Sequence, residues 1–447
     1  MPMPVSQIAA AENLEDRTPA RVRFPLAPPS ALQVLRPTPL GLGAFVCGAG
    51  GFFPLNLVGE IYLAELLLPL AVALTGGRAM VAAWRIRAFR ALFIGGLITL
   101  VGYVVSDLVQ GTRPDQYLRG WGRMVVLLLD FWALTTIALR DRRSIWWFAV
   151  GLGLGGVLYL RLAHHYPLAF WKFAYAEPMF LVSSAIAGLS PTPLAVMALA
   201  LPGYLSIQYD YRSFAFLALI GIAYAIFRRR RAHTARRATS LQKVIIVGAL
   251  VGAFLFANAL LASIGGDYYA SRRASSDAGR IAALEVGLVA ISRSPILGYG
   301  SWPENIELAT LYRQQVYEQT RWRADPRAGG AFFTPHSQIL QAWVEGGILG
   351  TAFFLVLIYY IARVAPHAFL DRPRDYLSFL LLYYFVSGLW NFFNSPFATP
   401  HRIGIALVGA LVVMLWVERR AWATAPRPAA PSGPRDARAA LSGVRSV

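Results

Sequence analysis

Charge and cysteine are what this chain has least of. Asp, Glu, Lys and Arg make up 15% of its 447 residues, where soluble chains carry about 25%. So little polar surface cannot coat a water-soluble globule of this length. The single cysteine, Cys47, lies in an apolar run. That excludes a disulfide framework and any cysteine-based metal or iron–sulfur site. The chain has no Gly-x-Ser-x-Gly turn and no P-loop. Its six histidines form no zinc motif, and His336 has no His-x-x-x-His or His-x-x-Glu partner. Acidic residues are scarce, 23 against 42 Lys and Arg, for a formal net charge of +19. Such a charge suggests nucleic acid, but in an apolar chain Lys and Arg gather in cytoplasmic loops. No nucleic-acid partner is expected.

What is abundant is apolar. Hydrophobic residues make 56% and aromatics 13%, with mean hydropathy +0.49. The expected class is an all-α polytopic membrane protein, with about twelve apolar stretches that each cross a bilayer. Residues 1–37 are Pro-rich and carry no apolar h-region, so they are expected to be a disordered cytoplasmic segment and not a cleaved signal peptide. Residues 38–264 are expected to hold nine spans, with a crowded first pair at 40–58 and 59–75 and a short one at 193–207, for which a re-entrant or tilted segment is the alternative. Residues 337–420 are expected to hold three more, the first a continuous helix over 337–362. The Ala/Pro/Arg-rich tail, 421–447, is expected to be disordered.

Arginines fix the orientation. They cluster between alternate spans, at Arg85 to Arg90, Arg140 to Arg143, Arg228 to Arg237, Arg363 to Arg374 and Arg419–Arg420. The positive-inside rule makes those loops, and both termini, cytoplasmic. The opposite side carries one long segment, 265–336, in which acidic and basic residues nearly balance. Ile281, Leu284, Leu288 and Ile291 recur there at helical spacing and Pro295 stops the run. This predicts an amphipathic helix on the outer membrane surface.

Candidate chemistry gathers on that side. His336 stands where the long loop re-enters the membrane. If the helix continued, Gly347 and Gly350 would return to within roughly 40° of it, while Glu345 would lie on the opposite face. Glycines on that face admit a close neighbour, and ordinary helix packing alone would use them. Arg280 opens the amphipathic helix. Its guanidinium suits bidentate phosphate binding, and a lipid-headgroup contact is the plain alternative. Arg113, Arg119, Arg123, Lys172, Arg212 and Arg402 lie outward against the charge trend. Several are anion-binding candidates, with salt bridges as the alternative. Glu60, Asp107 and Asp130 are ionisable groups at or within spans.

Taken together, these motifs resemble the O-antigen ligase and polysaccharide polymerase superfamily. The likeness rests on His336-Ser337-Gln338-Ile339-Leu340, then Glu345, Gly347, Gly350, Phe353 and Phe354. Upstream, Gly279-Arg280 resembles the family's Gly-Arg helix. Ser294-Pro295-Ile296-Leu297-Gly298-Tyr299-Gly300 resembles its Pro-Leu-x-Gly-x-Gly turn, with Pro295, Gly298 and Gly300 as its structural residues. Arg212-Ser213 resembles a Ser-Arg signature in reversed order. The likeness spans about 205–400. Ser337 stands where Asn is usual, and Leu284 where Trp is frequent.

The resemblance implies an inverting, metal-independent glycan transferase without cofactor, in the bacterial inner membrane and acting at its periplasmic face. Its donor would be a glycan on undecaprenyl diphosphate. The acceptor would be a hydroxyl of lipid A–core in a ligase, or a second lipid-linked glycan in a polymerase. Arg280 and His336 would be catalytic. Arg280, Arg212, Arg123 and Arg402 would hold the donor diphosphate or substrate. His336 would either take the acceptor proton or hydrogen-bond the phosphate. The reading from another class is a multispan lipid or solute transporter, whose paired halves would share internal similarity. The two halves here look unlike each other.

Overall fold

The computed structural model describes residues 30–56, 59–75, 77–231, 266–302, 305–320, 333–371, 375–397 and 401–424. The expected span at 244–264 lies outside them, as does most of the basic stretch after Arg231; the ends expected to be disordered, 1–37 and 421–447, carry helix where described, at Ala31–Leu35 and up to Thr424. One compact unit runs from Ala27 to Trp416; of the second only Val417–Thr424, the end of the last helix, is described.

Helices dominate. In chain order they are α1 (Ala31–Leu35), α2 (Pro39–Ala49), α3 (Leu63–Thr75), α4 (Gly77–Trp84), α5 (Arg87–Gln110), α6 (Pro114–Arg140), α7 (Arg143–Leu162), α8 (Ala176–Leu189), α9 (Thr192–Gln208), α10 (Arg212–Arg231), α11 (Gly266–Arg293), α12 (Ile306–Thr320), α13 (Gln338–Gly350), α14 (Ala352–Pro366), α15 (Ser378–Asn394) and α16 (His401–Thr424). Among the described residues five helices are long and apolar enough to cross a membrane: α5, α6, α7, Ala352–Asp371 and His401–Trp422. Shorter apolar helices cover Pro39–Phe52, Leu63–Ala73, Ala176–Leu189 and Thr192–Gln208.

Two expectations are corrected here. The spans expected at 40–58 and 59–75 do not run through. Phe53 is extended, as a residue before proline must tend to be, and Pro54–Asn56 pairs antiparallel with Glu60–Tyr62 as a short hairpin (β1, β2). The helix expected over 337–362 is broken. Gly346 and Gly347 leave helical geometry, Gly347 with φ +62°, a left-handed conformation that glycine alone adopts freely.

Close packing of small residues joins the front helices. A Cβ on Gly151 or Gly155 of α7 would sit 2.2 or 2.4 Å from the carbonyl oxygens of Phe45 and Ala49 on α2. This is the small-xxx-small spacing that lets membrane helices touch backbone to backbone. The centre is filled by fully buried Phe89, Phe131, Phe353, Phe354 and Leu380. Helix α11 has two apolar faces. Val286 and Ala290 pack with Leu308 of α12 and Val344 of α13, while Ile281, Leu284 and Leu288 stay exposed.

Candidate functional site

The break in α13 is where the sequence motifs meet. Losing helical geometry at Gly346–Gly347 frees the carbonyls of Val344 and Glu345. They accept from the backbone N–H groups of Tyr299 (2.8 Å) and Gly300 (3.0 Å), and Ile348 N–H donates to Pro295 O (3.0 Å). The Pro295–Gly300 turn thus docks into the break. Gly298 and Gly300 have φ of +74° and +100°, and a Cβ on Gly347 would lie 1.7 Å from the Ile296 carbonyl oxygen. The glycine spacing serves this loop-to-helix contact. It does not serve a helix stripe beside His336, so the continuous-helix register of His336, Gly347 and Gly350 does not apply. Gly350 packs within the bend itself, its Cβ position 2.0 Å from Ala342 O.

The end of α5 clamps the same turn. Ser106 Oγ accepts from Gly300 N (2.7 Å) and donates to Glu345 O (2.8 Å). Gln110 donates to Gly298 O (2.8 Å). Asp107 accepts from Ser301 N (2.8 Å), Ser301 Oγ (2.7 Å) and Trp121 Nε1 (2.6 Å). Asp107 is therefore saturated by structural donors.

Two arginines expected to hold substrate are elsewhere. Arg123 is buried and forms an ion pair with buried Glu345. It also donates to the carbonyls of Phe397 (2.9 Å) and Ser301 (3.4 Å), and its guanidinium stacks 4.5 Å from the Phe397 ring centroid. Gln341 completes the knot by donating to Glu345 (2.7 Å) and accepting from Phe397 N (2.6 Å). Arg402 is likewise buried, donating twice to Glu65 at 2.7 Å and to Glu60 O at 2.8 Å. Isolated buried charges are costly, so these outward arginines are paired inside the protein, and neither lines the cavity described next.

That cavity, about 740 Å³, is lined by Arg280 and His336 together. His336 precedes α13, whose N-cap is Ser337. The Ser337 hydroxyl accepts from Leu340 N (3.3 Å) and donates to Phe392 O on α15 (2.8 Å). One short side chain therefore both starts the helix and pins the histidine's loop to α15, the position where asparagine was usual in the resemblance. His336 is reachable from the cavity, yet the surrounding protein, and then the charge of Arg280, hold its imidazole below the ordinary 6.5. Arg280 projects from α11 beside Asp277, which lies 3.5 Å from both Arg280 and Arg212. These contacts are half exposed and weak. Arg212 thus stands next to Arg280 through a shared carboxylate, while its chain neighbours Tyr211 and Ser213 line the cavity.

Of the remaining lining only Lys172 was singled out by the sequence, among the outward anion-binding candidates. Lys172 and Glu177, Tyr383 and Tyr384, Asn391 and Asn394, and His401 line the same space. The Tyr211 ring stacks on Phe214 at 4.5 Å and Lys172 Nζ lies 6.0 Å from it. Burial, and then the negative charge of Glu177, push the Tyr211 hydroxyl up; Arg280 pulls it down. Tyr211, Glu177 and Arg280 all line the one cavity. The signal for Glu177 was in the sequence: a lone carboxylate inside an apolar stretch is a functional candidate by default. Among the described residues no group of three or more His, Cys, Asp or Glu could hold a metal ion.

Residues 211–355 match the family model described as O-antigen ligase. The match begins at Tyr211 and takes in Arg212, Arg280, the Pro295–Gly300 turn, His336, Glu345, Gly347 and Gly350. It covers roughly a third of the chain. No curated protein matches the chain.

Proposed function

We propose that this chain is a multi-pass transferase of the bacterial inner membrane that moves a glycan from undecaprenyl diphosphate to a hydroxyl acceptor at the periplasmic face. The observation that carries the reading is that Arg280 and His336, far apart in sequence, line one cavity within the segment matched by the O-antigen ligase model. The exposed Ile281, Leu284 and Leu288 on α11 suit a helix whose outer face lies in lipid.

The chemistry follows from the charges. An acceptor oxygen attacks the anomeric carbon from the face opposite the diphosphate, and the glycosidic carbon–oxygen bond to the carrier breaks. Negative charge builds on the departing diphosphate, where the Arg280 fork stabilises it more in the transition state than in the ground state. The acceptor hydroxyl proton passes to His336. An imidazole held below its ordinary pKa is neutral near pH 7 and free to take a proton. That depression favours a base over a cationic phosphate ligand. Arg212, which shares Asp277 with Arg280, is proposed for the same anion-binding role.

The ligase reading takes lipid A–core as acceptor, and a polymerase takes a second lipid-linked glycan. The test is transfer by the purified protein in lipid nanodiscs, with undecaprenyl-diphosphate-linked glycan and each acceptor in turn. Product with lipid A–core alone supports the ligase. Absence of product with either, in protein that binds undecaprenyl diphosphate, removes the transferase reading.

A further inference from the structure

The cavity has a second chemical character besides its cationic end. Glu177, from the first turn of α8, and Tyr384 of α15 both border it. Tyr384 is 3% exposed, and its hydroxyl has no hydrogen-bond partner among the described residues. Buried hydroxyls are normally satisfied, and an orphan costs stability unless something else uses it. Asn391 and Asn394 stand on the same helix and line the same wall. Asn391 Oδ1 is used by Ser395 (2.9 Å) and the Asn394 amide by Trp390 O (3.3 Å). The cavity lining therefore offers a carboxyl group, a phenol and fixed amides besides its cationic groups.

A diphosphate is a poor occupant for this end. A carboxyl group offers it no cation, and the guanidinium that suits it projects from α11, not from α8 or α15. Sugar rings are good occupants. Their vicinal hydroxyls both donate and accept, and their apolar faces pack on rings. Carboxyl, amide and phenol groups lining one cavity match that pattern, as small-molecule sites use few convergent polar groups in an aromatic cavity.

We infer that Glu177 and Tyr384 form a sugar-hydroxyl subsite of this cavity, separate from the diphosphate end at Arg280. The inference rests on the transferase reading for the identity of the reaction. The sugar itself comes from the donor glycan or from the acceptor.

Binding to full-length protein in nanodiscs separates these cases, with three probes: undecaprenyl diphosphate without sugar, undecaprenyl-diphosphate-linked N-acetylglucosamine, and rough-type lipopolysaccharide carrying lipid A–core only. Glu177→Ala is expected to bind the sugar-free probe within twofold of wild type and at least one sugar-bearing probe tenfold or more weakly. Loss confined to the lipopolysaccharide assigns the subsite to the acceptor. Loss confined to the N-acetylglucosamine probe, measured against its sugar-free carrier, assigns it to the donor. Tyr384→Phe removes a hydroxyl the protein does not use, so it is expected to fold normally and weaken the same probe about threefold or more. If Glu177→Ala does not insert, Glu177→Gln keeps the shape and decides together with Tyr384→Phe. Wild-type affinity of these variants for both sugar-bearing probes would overturn the inference, as would an equal loss for the sugar-free probe or no sugar-dependent binding in wild type. Failure of the transferase reading looks different: Arg280→Ala would then leave sugar-free probe binding unchanged.

Discussion

Breaking the Arg123–Glu345 pair should damage stability and turnover together, and by unequal amounts from its two sides. The two side chains are 2% and 4% exposed. Removing one partner of a buried pair costs about 3–5 kcal/mol. In Glu345→Leu the stranded group is a guanidinium, which cannot shed its proton. Its bonds to Phe397 O and Ser301 O survive but do not cancel the charge. In Arg123→Leu the stranded group is a carboxyl, which can take up a proton and neutralise, although two carbonyls lose a donor. Glu345→Leu should therefore sit near the top of that range and Arg123→Leu near its base. The double variant strands no charge and should fall short of the sum of the singles by about 2 kcal/mol or more, since contacting residues do not add. The assay is reversible unfolding in mixed micelles for wild type, both singles and the double. Turnover should fall in each single, because the pair ties α6 to the α13 break and to the chain at Phe397, and His336 is carried at the head of α13. Additivity within about 0.5 kcal/mol would refute the pairing as the source of the stability.

Arg280→Lys should transfer poorly because an ammonium cannot reproduce the bidentate fork, and Arg280→Ala should lose about 2–4 kcal/mol of transition-state stabilisation; near-normal transfer by the inserted Ala variant removes Arg280 from the chemistry. His336 is held below 6.5 by burial and by Arg280, so as a base it stays neutral further into acid, and the acid limb of the pH–rate profile should fall below that value. Arg280→Gln removes one depressing cause, so its residual activity should show the limb shifted up toward 6.5; an unmoved limb argues against the base role. Gly347→Ala combines a left-handed backbone with a Cβ 1.7 Å from Ile296 O, so it should unfold or detach the turn and abolish transfer, read by protease sensitivity of the loop. Cysteine placed at Ser276 should label from outside in intact spheroplasts, and protection there would overturn the orientation drawn from the arginines.

The sequence by itself determined the class and singled out Arg280 and His336, which the fold brings to one cavity. Low charge, long apolar stretches and alternating arginines leave a helical membrane protein as the physical answer, because unpaired backbone in lipid must be hydrogen-bonded within a helix. The local turn chemistry was legible too. Pro295, Gly298 and Gly300 mark the turn, whereas Gly347 reads in sequence as a glycine of a continuous helix and only the structure shows its φ of +62°. What no periodicity could reveal is which turn meets which. The break at Gly346–Gly347 accepts the Pro295–Gly300 turn, and that contact exists only once α5, α11 and α13 pack. The arginines show the same limit. Arg123, Arg212, Arg280 and Arg402 look alike along the chain, but only packing shows that Glu345 and Glu65 claim two of them while Arg280 is left beside His336. Glu177 and Tyr384 reach the same cavity from α8 and α15. A side chain's charge is written in sequence, but whether it is neutralised at home or faces a cavity is decided by long-range partners that tertiary structure alone brings within hydrogen-bonding distance.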